Sequence, residues 1–193
     1  MPLVRTRAVE DRAFYLAGGY KYAQSGEGVC FLHVPSGCRL RPANTGWFAT
    51  FGRLSEAPRE RVEYSNDAFR FWGATFDPTS LYRFNAVMDW LQAQGMTVDR
   101  IHAHVRGLQE RFLVGLERER PRALPASALV TSPSLAWQGH FLTFRLAEAS
   151  ELARRLGERG VVADVRGDRL RFGFGLYHDE DDVDRLLVRL AAL

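Results

Sequence analysis

A mixed α/β fold is predicted by three patterns in the sequence. Two short apolar runs, Ala13-Phe14-Tyr15-Leu16-Ala17 and Val29-Cys30-Phe31-Leu32-His33-Val34, flank a glycine-rich segment, as expected of buried strands joined through a tight loop. Apolar residues then recur at helical spacing through 80–94 and 98–118, each stretch presenting one buried face. Beyond residue 140 strand-like and helix-like segments alternate to the C-terminus, the pattern of helices laid against a sheet.

Taken in order, Gly18-Gly19 bends the chain after the first strand, and Gly26 and Gly28 close the loop before the second. Such a loop at strand ends lets backbone approach a ligand closely. Leu81, Phe84, Val87, Met88 and Leu91 share one helical face, and Gly95 ends that helix. Val98, Ile101, Val105, Leu108, Phe112 and Leu116 mark a second helix, broken by Pro121 and Pro125. Next come a strand at 141–144, a helix over 147–159 stopped by Gly160, strands at 161–165 and 170–174, and a terminal helix from Asp179. The acids Asp179 to Asp182 stand at that helix's start, where they complement its dipole. There is no internal repeat and no low-complexity linker.

The 193 residues are 46% hydrophobic and 25% charged, enough to bury a core in one domain or two small ones. The most apolar stretches are short and interrupted by Arg, Asp or Gly, so no membrane segment is expected, and the N-terminus lacks the order of a signal peptide. A cytoplasmic location follows as the expectation. The net charge of +3 does not argue for nucleic acid, because arginines alternate with acids, as in Glu117-Arg118-Glu119-Arg120. Cys30 and Cys38 lack the spacing and His partners of a metal site and are read as plain thiols.

One basic residue stands apart. Lys and Arg total 26, and Lys21 is the only lysine. Where arginine supplies positive charge everywhere else, a retained lysine points to chemistry that arginine cannot perform: a primary amine can lose its proton and attack an aldehyde, whereas a guanidinium stays charged. Lys21 sits in the glycine loop between the two strands.

Gly18-Gly19-Tyr20-Lys21-Tyr22, followed by Gly26-Glu27-Gly28 and an apolar strand, resembles the lysine segment of the class V aminotransferase superfamily, whose members use pyridoxal 5'-phosphate (PLP), and kynureninase-like proteins in particular. Three later segments resemble the same family in the same order. Arg41 to Phe48, with its Gly46-Trp47 pair, is similar to the stretch that brings an indole N–H to the cofactor phosphate. Phe71 to Pro78 is similar to the segment whose threonine, here Thr75, contacts a phosphate. Asp164 to Gly173 and Leu176-Tyr177-His178 resemble the closing strand pair, where an arginine holds the substrate α-carboxylate.

The resemblance implies a PLP-dependent transferase of fold type I, with residues 1–80 as the end of the large PLP-binding domain and 81–193 as the small C-terminal α+β domain. Lys21 would be the Schiff-base lysine and then the acid and base at Cα. Tyr20, Trp47 and Thr75 would donate to the phosphate. Arg171 would grip the carboxylate of an amino-acid substrate through two parallel N–H bonds, a geometry that suits arginine. Arg169 and Arg166 compete with Arg171 for that role, and period-two alternation puts Arg169 and Arg171 on one strand face. The match of Leu170-Arg171-Phe172 to the closing motif selects Arg171. His140, before an apolar strand, is read as structural.

The Gly-Trp and Leu-Arg-Phe segments favour kynureninase-like hydrolysis of a Cβ–Cγ bond, although Phe172 to Tyr177 lacks the proline of true kynureninases. A transaminase or another amino-acid lyase of the superfamily is the alternative. Sulfur transfer, which needs a mobile cysteine late in the chain, is disfavoured because both cysteines follow the lysine closely. A complete family member is longer, and its ring-stacking aromatic, its Asp facing the pyridine nitrogen and its main phosphate loop precede the lysine. The chain is therefore expected to be a fragment, one half of a split enzyme, or a non-catalytic interaction module, acting as a homodimer or with an N-terminal-half partner. The strand around Tyr15 would otherwise expose an unpaired edge.

Overall fold

The computed structural model describes residues 10–50, 53, 55–56, 60–130 and 139–193. The chain divides into two compact units, Met1–Gly95 and Met96–Leu193.

In the first unit, β1 (Tyr15–Gly18) and β2 (Cys30–His33) form an antiparallel pair, with Leu16 opposite Leu32 and Ala17 opposite Phe31. Alternation along the strands puts Leu16 and Leu32 on one face and Phe31 on the other, and all three are exposed. The connecting loop is closed from inside: the Gly19 N–H donates to Val29 O at 2.9 Å, and the buried Ser25 donates to Gly19 O through both its N–H, at 3.0 Å, and its hydroxyl, at 2.8 Å. Two short 3-10 turns follow, Trp47–Thr50 and Ala68–Phe71. Helix α1 spans Thr79–Ala93, and Asp77 Oδ1 caps its start by accepting from the Thr79 N–H and hydroxyl.

The two compact units divide at residue 95. The lysine loop seats directly on the first turns of α1, which keeps that helix in the first unit. Ser80 Oγ donates to Glu27 O at 3.0 Å, and a Cβ at Gly26 or Gly28 would come within 2.2 Å of Arg83 Nη1 or 2.4 Å of Ser80 Oγ. Both glycines also have positive φ, +71° and +94°, which side chains rarely tolerate. Helix α1 therefore belongs with the loop that it supports.

In the second unit, the elements run α2 (Val98–Glu119), β3 (Phe141–Arg145), α3 (Ala149–Gly157), β4 (Asp164–Arg166), β5 (Arg169–Gly173) and α4 (Glu180–Ala191). The antiparallel sheet has the order β3-β5-β4. Its inner face (Leu142, Phe144, Leu170, Phe172) packs with Val105, Leu108, Phe112 and Leu116 of α2, Leu152 and Leu156 of α3, and Val183, Leu187 and Leu190 of α4. Phe112 is fully buried, with ring centroids of Phe144, Phe172 and Phe174 5.4–6.2 Å away. Gly115 lets α4 come close, since a Cβ there would lie 2.2 Å from Leu187 Cδ1. Across the same contact Arg111 donates to both carboxylate oxygens of Asp184 and to Glu180.

Caps close the helix ends. Thr97 accepts from the Arg100 N–H, Asp179 and Asp182 form a reciprocal capping box, and α2 ends at Arg120 in the left-handed region, with Pro121 next. The strand expected at 161–165 is instead β4 at 164–166. Its register is set from the Gly167-Asp168 turn, which places Arg166 opposite Arg169 and Asp164 opposite Arg171, so pairing is already complete before Val161 is reached. Among the described residues, no helix is long and apolar enough to cross a membrane.

Candidate cofactor and carboxylate sites

Lys21 lies in the loop between β1 and β2, with its side chain exposed and its carbonyl accepting from the Gln24 N–H at 3.0 Å. Its Nζ stands 5.6 Å from the centroid of the Tyr20 ring, a cation–π distance. Gly18 makes room for that ring, since a Cβ there would meet Tyr20 Cε1 at 2.7 Å. The fold thus brings Tyr20 and Lys21 together on one loop face.

Trp47 and Thr75 are carried by two segments that touch through glycine. A Cβ on Gly46 would fall 1.7 Å from the Gly73 carbonyl oxygen; only glycine permits this approach. Around it the rings of Phe48 and Phe69 stack on Trp72 at 5.4 and 4.9 Å, Trp72 lies 5.3 Å from Phe76, and Trp47 meets Phe48 edge-on at 4.3 Å. Arg70, 8% exposed, donates to Ser65 O and Leu40 O, which ties the second 3-10 turn to the chain just ahead of the Arg41–Phe48 stretch. Phe14 packs edge-on against Phe71 at 5.4 Å, linking this cluster to the residue before β1. Sequence reasoning missed Arg70, because nothing local distinguishes it from the other arginines.

The four side chains expected to meet the cofactor offer an amine, two hydroxyls and an indole N–H, all exposed. Among the described residues, none of Lys21 Nζ, Tyr20 OH, Trp47 Nε1 and Thr75 Oγ1 is hydrogen-bonded within the chain. No group of three or more His, Cys, Asp or Glu side chains among the described residues could hold a metal ion.

Arg171 lies on β5 in the second unit, on the outer face of the sheet with Arg169, Phe141, Thr143 and Arg145. Its guanidinium donates from Nε and Nη2 to Asp164 Oδ2 and sits 5.5 Å over the Phe141 ring. The hydrogen bond from Arg171 holds the Asp164 carboxyl below the usual carboxylate range. Arg169 pairs with Asp168 at 2.9 Å, and Arg166 Nε lies 3.5 Å from Asp164 Oδ1. Lys21 and Arg171 thus belong to different units.

The histidines of this unit serve its framework. His140 lies before β3, with its ring 4.9 Å from that of His102, and its carbonyl accepts from the Phe174 N–H at 2.7 Å. Burial, then the neighbouring His102, lowers its pKa to about 4. His178 Nδ1 accepts from the Gly175 N–H, and the His178 carbonyl is 2.9 Å from His104 Nε2.

Residues 101–190 match the family model of the kynureninase C-terminal domain. Comparison with curated proteins gives no significant match. Among solved structures, the apo cysteine desulfurase of Thermococcus onnurineus NA1 superposes with a TM-score of 0.76 at 14% identity, over 93% of this chain and 46% of that one. The cystine C-S lyase C-DES, in complex with its reaction product cysteine persulfide, superposes with a TM-score of 0.62 at 21% identity, over 83% of this chain and 41% of that one. The chain spans less than half the length of either structure. At these identities the likeness is one of fold.

Proposed function

We propose that the chain belongs to the class V aminotransferase superfamily of PLP-dependent enzymes and carries the lysine-bearing and carboxylate-binding parts of such an enzyme, a reading supported by the kynureninase C-terminal domain match over 101–190 and by the likeness of fold. Kynureninase-like hydrolysis of a Cβ–Cγ bond is the specific reaction assigned. The observation that supports it most is the family match over 101–190, the segment that contains Arg171. PLP, when bound, supplies an electron sink for charge that develops at the substrate Cα.

Each residue then has a task set by its own chemistry. The Lys21 amine would hold the cofactor at its aldehyde and would then move the proton at the substrate Cα. The Tyr20 hydroxyl, the Trp47 indole N–H and the Thr75 hydroxyl would donate to the cofactor phosphate. The Arg171 fork orients the amino acid through its carboxylate. The remaining sheet and phosphate-binding groups would come from an N-terminal-half partner, with the chain acting together with that partner or as a homodimer. The exposed Leu16, Phe31 and Leu32 support this reading, because a two-stranded pair with apolar side chains on both faces suits the interior of a larger sheet. A cytoplasmic location goes with this assignment.

The reaction is tested on the chain supplied with PLP and its N-terminal-half partner. Release of alanine from kynurenine with loss of the side-chain acyl group is expected. Transfer of the amino group to a keto acid, without release of alanine, would assign a transaminase instead.

A further inference from the structure

The Arg171 guanidinium is held before any ligand arrives. Its cross-strand neighbour in the β4–β5 register is Asp164, and Nε, at 2.6 Å, and Nη2 both donate to the single oxygen Oδ2. Those nitrogens form one edge of the fork. The other edge, Nη1 with the second hydrogen of Nη2, points away from that bond, and Nη1 has no partner among the described residues. Phe141 on β3 lies against the guanidinium at 5.5 Å, so it is constrained from two neighbouring strands.

The charge balance leaves room for an anion. Asp164 also faces Arg166 at 3.5 Å, so one carboxylate is shared by two guanidiniums. Asp168 is likewise shared by Arg169 at 2.9 Å and Arg145 at 3.6 Å. This sheet face therefore keeps net positive charge after its internal pairs are formed, which attracts a carboxylate. Fixing a long arginine side chain only when the ligand binds would weaken affinity by about two- to tenfold; Asp164 fixes it in advance.

We propose that Asp164 is a positioning residue: it holds one edge of Arg171 so that the other edge is preorganised for the carboxylate of the substrate. The inference rests on the reading of Arg171 as the carboxylate anchor, and its test separates the two. The full chain, wild type, Asp164→Asn and Asp164→Glu, is treated with an arginine-selective dicarbonyl reagent over a range of benzoate concentrations, and modification of Arg171 is followed by peptide mass mapping. Benzoate should protect Arg171 in the wild type. Asp164→Asn should need about fivefold more benzoate for equal protection, and Asp164→Glu, which keeps the charge, should fall between. In 15N spectra the Arg171 Nε–H should be slow to exchange in the wild type and fast in Asp164→Asn. Equal protection in wild type and Asp164→Asn would overturn the positioning role and leave the anchor intact. Stronger protection in Asp164→Asn would also overturn it, because Asp164 would then be a competitor. If Asp164→Asn fails to fold, protection of Asp164→Glu equal to or stronger than that of the wild type would overturn it. No protection of wild-type Arg171 would overturn both assignments.

Discussion

Replacing Gly46 by alanine tests the contact that brings the Trp47 and Thr75 segments together. The added methyl would lie 1.7 Å from the Gly73 carbonyl oxygen and 2.3 Å from its carbonyl carbon and Cα. These are backbone atoms, so no side-chain rotation relieves the clash, and the segments must separate by roughly 1.5 Å or more to reach ordinary van der Waals contact. Overpacking of this kind costs about 1–3 kcal/mol. The separation would also disturb the stacking of Phe48 and Phe69 on Trp72. Gly73→Ala is the matched control, because a methyl at position 73 meets nothing within 4 Å. Denaturant unfolding followed by tryptophan fluorescence and near-UV circular dichroism should show Gly46→Ala destabilised by about 2 kcal/mol, with altered aromatic ellipticity, while Gly73→Ala stays near the wild type. Indistinguishable unfolding curves and spectra for the two variants would refute the close approach.

Two further outcomes concern the second unit. Phe112→Ala removes the ring shared by Phe144, Phe172 and Phe174 and should cost about 3–5 kcal/mol, read as a lower thermal midpoint; a loss below 1 kcal/mol would place Phe112 outside the core. The folded pKa of His140, lowered from 6.5 to about 4, means that the unfolded chain binds more protons between those values. Stability should therefore fall as pH drops from 6.5 towards 4, and His140→Gln should flatten that slope in a pH series of melts. Asp164, Asp182 and Asp184, each held below the usual carboxylate range by hydrogen bonds, add a separate loss at still lower pH.

Elements with a long regular period were legible from sequence. The face Ile101, Val105, Leu108, Phe112 and Leu116 is the buried stripe of α2, and the acids at Asp179 and Asp182 form a cap. The seating of the glycine loop on α1 was not legible, because it depends on Ser80 and Arg83 meeting that loop across a long stretch of sequence. The strand at 161–165 was displaced because apolar Val161 and Val162 read as strand, whereas the turn fixes the pairing; Val162 is 98% exposed. The partner of Arg171 was within reach: a two-residue turn at Gly167-Asp168 puts Asp164 opposite Arg171 by counting outward. For the proposed cofactor residues, sequence brought Tyr20 and Lys21 together as neighbours, while the Gly46 and Gly73 contact needed coordinates.

Lys21, the only lysine, is proposed to anchor PLP. The most direct measurement is to incubate the chain with PLP, alone and together with a candidate N-terminal-half polypeptide, reduce with borohydride, and map the modified residue by mass spectrometry. A pyridoxyl group on Lys21, with no label and no PLP absorbance change in Lys21→Arg, is the predicted result. Absence of label at Lys21 in both samples would contradict it.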